Sequence, residues 1–305
     1  MKGEVKSAGM HTEPRSAVEH DDSMRVPPAA LLLVVSVLAL SGCAQGGVVE
    51  YTGSYVPLPP TSGTFDYQLG EPYEIDGGLD IVARDSTAAP DSGAYSICYV
   101  NGFQTQPGES AAWLEERSGL LLHDDAGQPA IDPDWPDEYI LDPSTAEQRD
   151  GILAVMAPII TGCAESGFDA VEIDNLDTFT RFDASTSGGG AGIDESGALE
   201  LAAAYVDAAH TAGLAIGQKN AAELADRGRA ELGFDFAVAE ECGAYGECDA
   251  YSSAYGDLVL QIEYTDALAG SPEEVCADDS RAPLTVIRDR DLVAPDVPDY
   301  FRMQC

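Results

Sequence analysis

Basic side chains are scarce in this chain of 305 residues. Fifteen Lys and Arg stand against 54 Asp and Glu, a formal net charge of −39 at pH 7. A field of that sign repels nucleic acid and other polyanions and attracts cations and polycations. Histidine is also rare: His11 and His20 precede an apolar N-terminal run, and His123 and His210 stand alone. There is no HExxH pair, no GxSxG elbow and no CxxC, the spacings that zinc proteases, serine hydrolases and many structural zinc sites require. No glycine-rich phosphate loop follows the first strand-like segment, which argues against nucleotide binding. The sequence therefore predicts neither a cofactor nor a resident metal, and no nucleic-acid partner.

Carboxylates are what the chain has. Residues 167–177, GFDAVEIDNLD, read as a short apolar strand ending in Glu172, Asp174 and Asp177. By two-residue alternation Val171 and Ile173 share one face, and Glu172 and Asp174 share the other. A second acidic strand end, FDFAVAEEC at 234–242, carries Glu240 and Glu241. Adjacent acids repel, which favours keeping a proton on one of them. Two carboxylates delivered by two strand ends are the equipment of glycoside hydrolysis. Between these ends, Lys219-Asn220 closes another strand. That lysine either neutralises an acidic cleft or touches substrate. Asp174 and Asp177 could instead hold a hard cation, the metal-dependent alternative.

The N-terminus carries an address. Residues 27–42, PPAALLLVVSVLALSG, follow Arg25 and are short for a membrane span, as in the apolar part of a signal peptide. The run ends in Leu40-Ser41-Gly42-Cys43, which resembles the bacterial lipobox, in which the signal is cut before a cysteine that receives lipid. Residues 1–42 are thus expected to be a lipoprotein signal region, with 1–23 a misassigned start, and residues 43–63 a flexible tether. Loss of 1–42 removes four basic and five acidic residues and leaves a charge of −38, so the acidity belongs to the domain at 64–305. With Cys43 taken by lipid, six cysteines remain in an exported chain and allow fifteen disulfide connectivities. Shortest loops pair Cys242 with Cys248, Cys276 with Cys305 and Cys98 with Cys163.

Strand-length apolar runs fall near 66–69, 79–83, 95–100, 169–173, 214–218, 235–239, 258–264 and 284–287. Helix-like patterns fall near 109–117, 145–166, 194–212, 220–231, 248–256 and 271–278. Eight βα units predict a single α/β domain, a closed (β/α)8 TIM barrel, with a doubly wound open sheet as competitor. Residues 119–143 and 178–193 read as insertions on the face where barrel active sites form. Tyr99, Phe103, Trp113, Trp135 and Tyr245 offer aromatic faces, with Trp113 assigned to the core.

Seven segments together resemble glycoside hydrolase family 114, the endo-α-1,4-polygalactosaminidases. They are TFDYQLG (64–70), DIVARD (80–85), ICYVNGFQTQPGE (97–109), GFDAVEIDNLD (167–177), IGQKN (216–220), AEECGAYGECDAY (239–251) and QIEY (261–264). The resemblance covers nearly all of 64–290. It implies a (β/α)8 fold and a catalytic pair at Asp174 and Glu240. The family's Asn-Glu-Gln-Cys at the sixth strand stands here as Ala239-Glu240-Glu241-Cys242. The implied reaction is hydrolysis, with retention, of α-1,4-linked galactosamine-containing polysaccharide. Asp85, Tyr99, Glu172, Asp177, Lys219, Asn220, Glu241, Tyr245, Glu263 and Tyr264 are the substrate-binding candidates. A free-amine polymer of this kind is a polycation, which gives the acidity a purpose. The expected protein is a monomer lipid-anchored on the outer face of a bacterial cell membrane, or secreted. The competing reading is a non-catalytic surface lipoprotein that binds cationic amino-sugar polymer.

Overall fold

The computed structural model describes residues 56–182 and 192–305. The expected signal region, Cys43 and most of the expected tether lie outside the described residues, as does the centre of the 178–193 insertion. No helix among the described residues is long and apolar enough to cross a membrane. Residues 56–63, read above as the end of the tether, pack on the domain: Pro59 is buried, and the Tyr95 hydroxyl donates to the Pro57 carbonyl at 2.6 Å.

Eight parallel strands follow one another in sheet order: β1 (Phe65–Gln68), β2 (Ile81–Asp85), β3 (Tyr95–Asn101), β4 (Ala170–Asp174), β5 (Ala215–Lys219), β6 (Phe236–Glu240), β7 (Val259–Tyr264) and β8 (Leu284–Arg288). A ninth, β9 (Arg302–Gln304), pairs antiparallel with β8. The helices are α1 (Ser110–Glu116), α2 (Ala146–Ser166), α3 (Thr178–Arg181), α4 (Glu195–Ala212), α5 (Ala225–Arg227), α6 (Cys242–Tyr245), α7 (Cys248–Tyr255) and α8 (Pro272–Ala277). The result is a nearly closed TIM barrel in one domain. Sequential parallel neighbours joined by helices leave this arrangement and exclude the doubly wound order.

Local sequence explains the two long helices. Thr145 and Gln148 form a reciprocal capping box at the start of α2, and the Asp194 carboxylate accepts the Ser196 and Gly197 amides at the start of α4. Gly167 and Gly213 end them at φ 98° and 82°, left-handed conformations in which glycine has no Cβ penalty. Each glycine turns the chain directly into the next strand, β4 or β5.

Alternation sorts each strand into a lumen face and a helix face. Phe65, Ile81, Ile97, Ala170, Ala215, Phe236, Leu260 and Leu284 belong to one buried apolar cluster, with Val238, Ile262, Val286 and Tyr67. Val171 and Ile173 belong to the other cluster, with α2 and α4. Four residues on from Ala170, Ala215 and Phe236, on the same faces of β4, β5 and β6, come Asp174, Lys219 and Glu240 at the strand ends. The lumen is thus apolar at its base and charged at its C-terminal mouth. Gly217 keeps that column open: a Cβ there would lie 2.6 Å from the Phe236 ring.

Closure between β8 and β1 rests on side chains. The buried guanidinium of Arg288 pairs with the buried Asp66 carboxylate at 3.1 Å and donates to the Tyr67 carbonyl. Arg302 of β9 reaches the same carboxylate at 3.2 Å, and the Tyr73 hydroxyl donates to it at 2.6 Å. Disulfide Cys276–Cys305 ties the chain end that carries β9, and disulfides Cys98–Cys163 and Cys242–Cys248 join β3 to α2 and close the turn after β6. Replacing Arg288 by Met leaves Asp66 buried with half its charge partners gone. A loss of about 3–5 kcal/mol is expected, measured by urea unfolding.

Candidate active site

Three strands that are neighbours in the sheet, β4, β5 and β6, place their last lumen residues side by side. The Lys219 ammonium, 1% exposed, lies 3.2 Å from Asp174 Oδ2 and 3.1 Å from Glu240 Oε2. These two oxygens are therefore at most about 6.3 Å apart, the sum of the two contacts. Asp174 Oδ2 also accepts the Tyr99 hydroxyl at 2.8 Å, and Oδ1 accepts the Asn175 amide at 2.7 Å. Glu240 Oε1 accepts the Tyr264 hydroxyl at 2.5 Å, and Oε2 accepts the Asn220 side-chain amide at 3.0 Å. Asn220 Oδ1 in turn accepts the Glu240 backbone amide at 2.8 Å. Both carboxylates are held by donors on more than one strand.

The residue after each of these three ends is left-handed without being glycine: Asn175 at φ 66°, Asn220 at φ 51° and Glu241 at φ 57°. Such a conformation costs about 1–2 kcal/mol for most L residues, and asparagine tolerates it best. It turns the chain sharply out of the strand and leaves the preceding side chain at the mouth. Glu241 is fixed there by Arg290, at 2.8 Å, and Arg290 also pairs with Asp266 at 2.7 Å.

Charge at the site is set by burial working against neighbours. Burial acts to lower the Lys219 ammonium, but Asp174, Glu240 and Glu172 together outweigh it and hold it well above the usual lysine range. Burial pushes Glu172 up to about 7, with Lys219 opposing. Burial, and then the neighbouring carboxylates, keep the Tyr67, Tyr99 and Tyr264 hydroxyls protonated. They are donors to the acids, as the hydrogen bonds require.

The structure brings together Asp174, Glu240, Lys219, Asn220, Tyr99 and Tyr264. The other substrate-binding candidates are engaged by other partners or stand open. Glu172 is wholly buried beneath the pair and accepts the Tyr67 hydroxyl at 2.9 Å, so no sugar can touch it. Glu263 shares the helix face of β7 with Gln261, because Ile262 and Tyr264 take the lumen; it accepts the Gln261 amide and the Gly243 N–H, both at 2.7 Å. Its carboxylate anchors the disulfide turn and is not part of the mouth. Glu241 is neutralised by Arg290, and Asp177 faces Arg181 at 3.5 Å. Asp85 caps Thr87 and accepts from Gln106 at 2.7 Å. Tyr245, 71% exposed, and Trp135, 56% exposed, present open rings, whereas Phe103 and Trp113 are core.

Asp174 and Asp177 each face a protein cation, Lys219 and Arg181. Among the described residues, Cys242, Cys248 and Glu263 have ligand spacing, but the two sulfurs are joined to each other.

Sequence reasoning missed Tyr67, which alternation on β1 places below the mouth, and the wall built by the segment after β3. There the buried Glu138 accepts from Asn101 at 2.7 Å, and Asn101 Oδ1 accepts from Asn175 at 2.9 Å. Gln104 donates to the buried Asp132 at 2.8 Å and to Asn175 at 3.2 Å. This network braces the residue next to Asp174 from a segment that the sequence showed only as acidic and aromatic. Burial raises the Glu138 carboxyl to about 7, against its bond from Asn101.

The family model of glycoside hydrolase family GH114 matches residues 49–305, so the chain belongs to that family and is a glycoside hydrolase. Among solved structures, the fold is similar to that of Aspergillus fumigatus Ega3 in complex with galactosamine, with a TM-score of 0.64 and 19% identity over 83% of this chain and 100% of that one. It is also similar to the glycoside hydrolase domain of PelA from Pseudomonas aeruginosa, with a TM-score of 0.54 and 14% identity over 77% of this chain and 97% of that one. No curated protein matches the chain.

The raised Glu138 carboxyl has a consequence for stability. Its folded affinity for a proton exceeds the unfolded one, so its contribution is complete below about pH 4.5 and is lost as pH rises through about 7. Glu138→Gln should therefore melt progressively higher than the parent as pH is raised from about 5 to 8, and the two should converge at acid pH. Calorimetry across that range checks it.

Proposed function

We propose that this GH114 hydrolase is an exported endo-glycosidase that cleaves α-1,4-linked galactosamine-containing polysaccharide with retention. The observation that carries the proposal is the pair Asp174 and Glu240, held on two strand ends by one buried ammonium. Inverting enzymes separate their carboxyls by about 6.5–9.5 Å to seat a water, and retaining ones by about 5–5.5 Å. The bound of about 6.3 Å on one oxygen pair is compatible with the closer arrangement.

Asp174, held in place by Lys219, the Tyr99 hydroxyl and the Asn175 amide, is the nucleophile. It attacks the anomeric carbon as the glycosidic bond breaks, and Glu240 gives its proton to the departing oxygen. Water then attacks the glycosyl–Asp174 ester, and Glu240 takes the proton of that water. Lys219 tempers the repulsion between the acids while the nucleophile's charge is consumed and restored. Tyr99 and Tyr264 hold the two carboxylates in line.

The substrate class is supported by the family, by the galactosamine in the Ega3 complex and by the net charge of −39. A cationic polymer gains attraction from that field, and salt weakens it. Tyr245 and Trp135 are suited to stack on sugar rings. Export would follow the signal region 1–42, Cys43 would carry the lipid anchor, and the enzyme would act as a monomer.

Asp174→Asn and Glu240→Gln are nearly isosteric. Each should lower turnover on galactosamine polymer by about three orders of magnitude or more with little change in melting temperature. Glu240→Gln should recover on substrates with good leaving groups, which need no proton. Product length measured by mass spectrometry decides: turnover near that of the parent in either variant overturns its assigned role, and a parent that binds polymer without shortening it overturns the enzyme reading.

A further inference from the structure

Glu172 is the one acid of the β4 end that substrate cannot reach. Its carboxyl is 0% exposed. Oε1 accepts from the Tyr67 hydroxyl at 2.9 Å, and among the described residues the buried Oε2 has no hydrogen-bond partner. A buried carboxylate oxygen without a donor is costly, so Glu172 lowers the stability of the fold where it stands. Tyr67 is itself buried and accepts from Lys219 Nζ at 2.9 Å. The line Glu172–Tyr67–Lys219 therefore runs up the lumen and ends at the ammonium shared by Asp174 and Glu240. The rings of Tyr67 and Tyr99 flank that ammonium, each centred 5.4 Å away.

We propose that Glu172 is a positioning residue that acts through Tyr67 and Lys219 to set how readily the Asp174–Glu240 pair takes up and releases its proton. The proposal rests on the roles given above to that pair. The charged and titratable groups facing Glu172 are Tyr67 from β1, Tyr99 opposite it in β3, Asp174 from its own strand, Lys219 from β5 and Glu240 from β6. With Glu172 neutral, one ammonium balances two acids. With Glu172 ionised, the same ammonium balances three, and the added charge strengthens the hold of Glu240 on its proton. Burial places the change near pH 7, where an acid/base group must exchange a proton in each turnover. Glu172 also gives Lys219 a counter-charge from below, which keeps Nζ at the height of the two strand ends.

The test is 13C NMR of protein labelled at glutamate Cδ, with the Glu172 and Glu240 signals assigned by their loss in Glu172→Gln and Glu240→Gln. In Glu172→Gln the titration midpoint of Glu240 should fall by about half a unit or more. The alkaline limb of kcat/KM, which reports the acid in free enzyme, should move the same way. Tyr67→Phe keeps the carboxyl and cuts its link to Lys219; it should give a smaller shift in the same direction, and it serves if Glu172→Gln does not fold. A Glu240 midpoint that stays at the parent value in a folded variant overturns the proposal. The NMR arm needs no substrate, so it stands even if the parent fails to cleave galactosamine polymer, which would instead refute the functional reading.

Discussion

One ammonium makes this barrel mouth possible. Asp174 and Glu240 stand partly buried at the lumen mouth and Glu172 wholly buried beneath them, and three carboxylates crowded there would repel one another. Lys219 contacts two of them directly and the third through Tyr67. Its position depends on strand register: β5 delivers it between β4 and β6, and small residues below it, Ala215 and Gly217, leave the lumen to the Phe236 ring. The ion cluster and the packing of the apolar base are thus two ends of one alternating pattern.

That pattern was legible in the sequence to a definite depth. The eight apolar runs correspond to β1–β8, and alternation correctly put Glu172 and Asp174 on a common lumen face. Alternation says which face a side chain takes, not how far it lies from the mouth. Glu172 is two residues below Asp174, about one turn of the pleat, and that distance separates a surface acid from a wholly buried one. On β7 the same rule, counted from Tyr264, sends Glu263 to the helix face. β9 left no signal, because three residues of mixed polarity have no period to read.

Charge pairing was less legible than strand position. Glu241 read as a cation-binding acid, yet its partner Arg290 lies 49 residues later in the chain, beyond any local pattern. Glu138 and Asp132 sit in the insertion at 119–143, which the sequence placed on the active-site face without giving its acids a role; bridges between its own strand-like pieces fold both inward against Asn101 and Gln104. The acidic field is consequently uneven. Several acids near the mouth are neutralised by arginines, and the unpaired attraction for a cationic polymer comes from the surface as a whole, where charges are screened by salt.

In the proposed retaining cleavage, two carboxylates bridged by a buried lysine act as nucleophile and acid/base. Proton NMR of a galactosamine oligomer in the first minutes of hydrolysis tests it directly, because the new reducing end appears before it mutarotates. Retention predicts that the α anomer appears first and the β anomer grows in later. First appearance of the β anomer would contradict the claim and would require a water seated between Asp174 and Glu240.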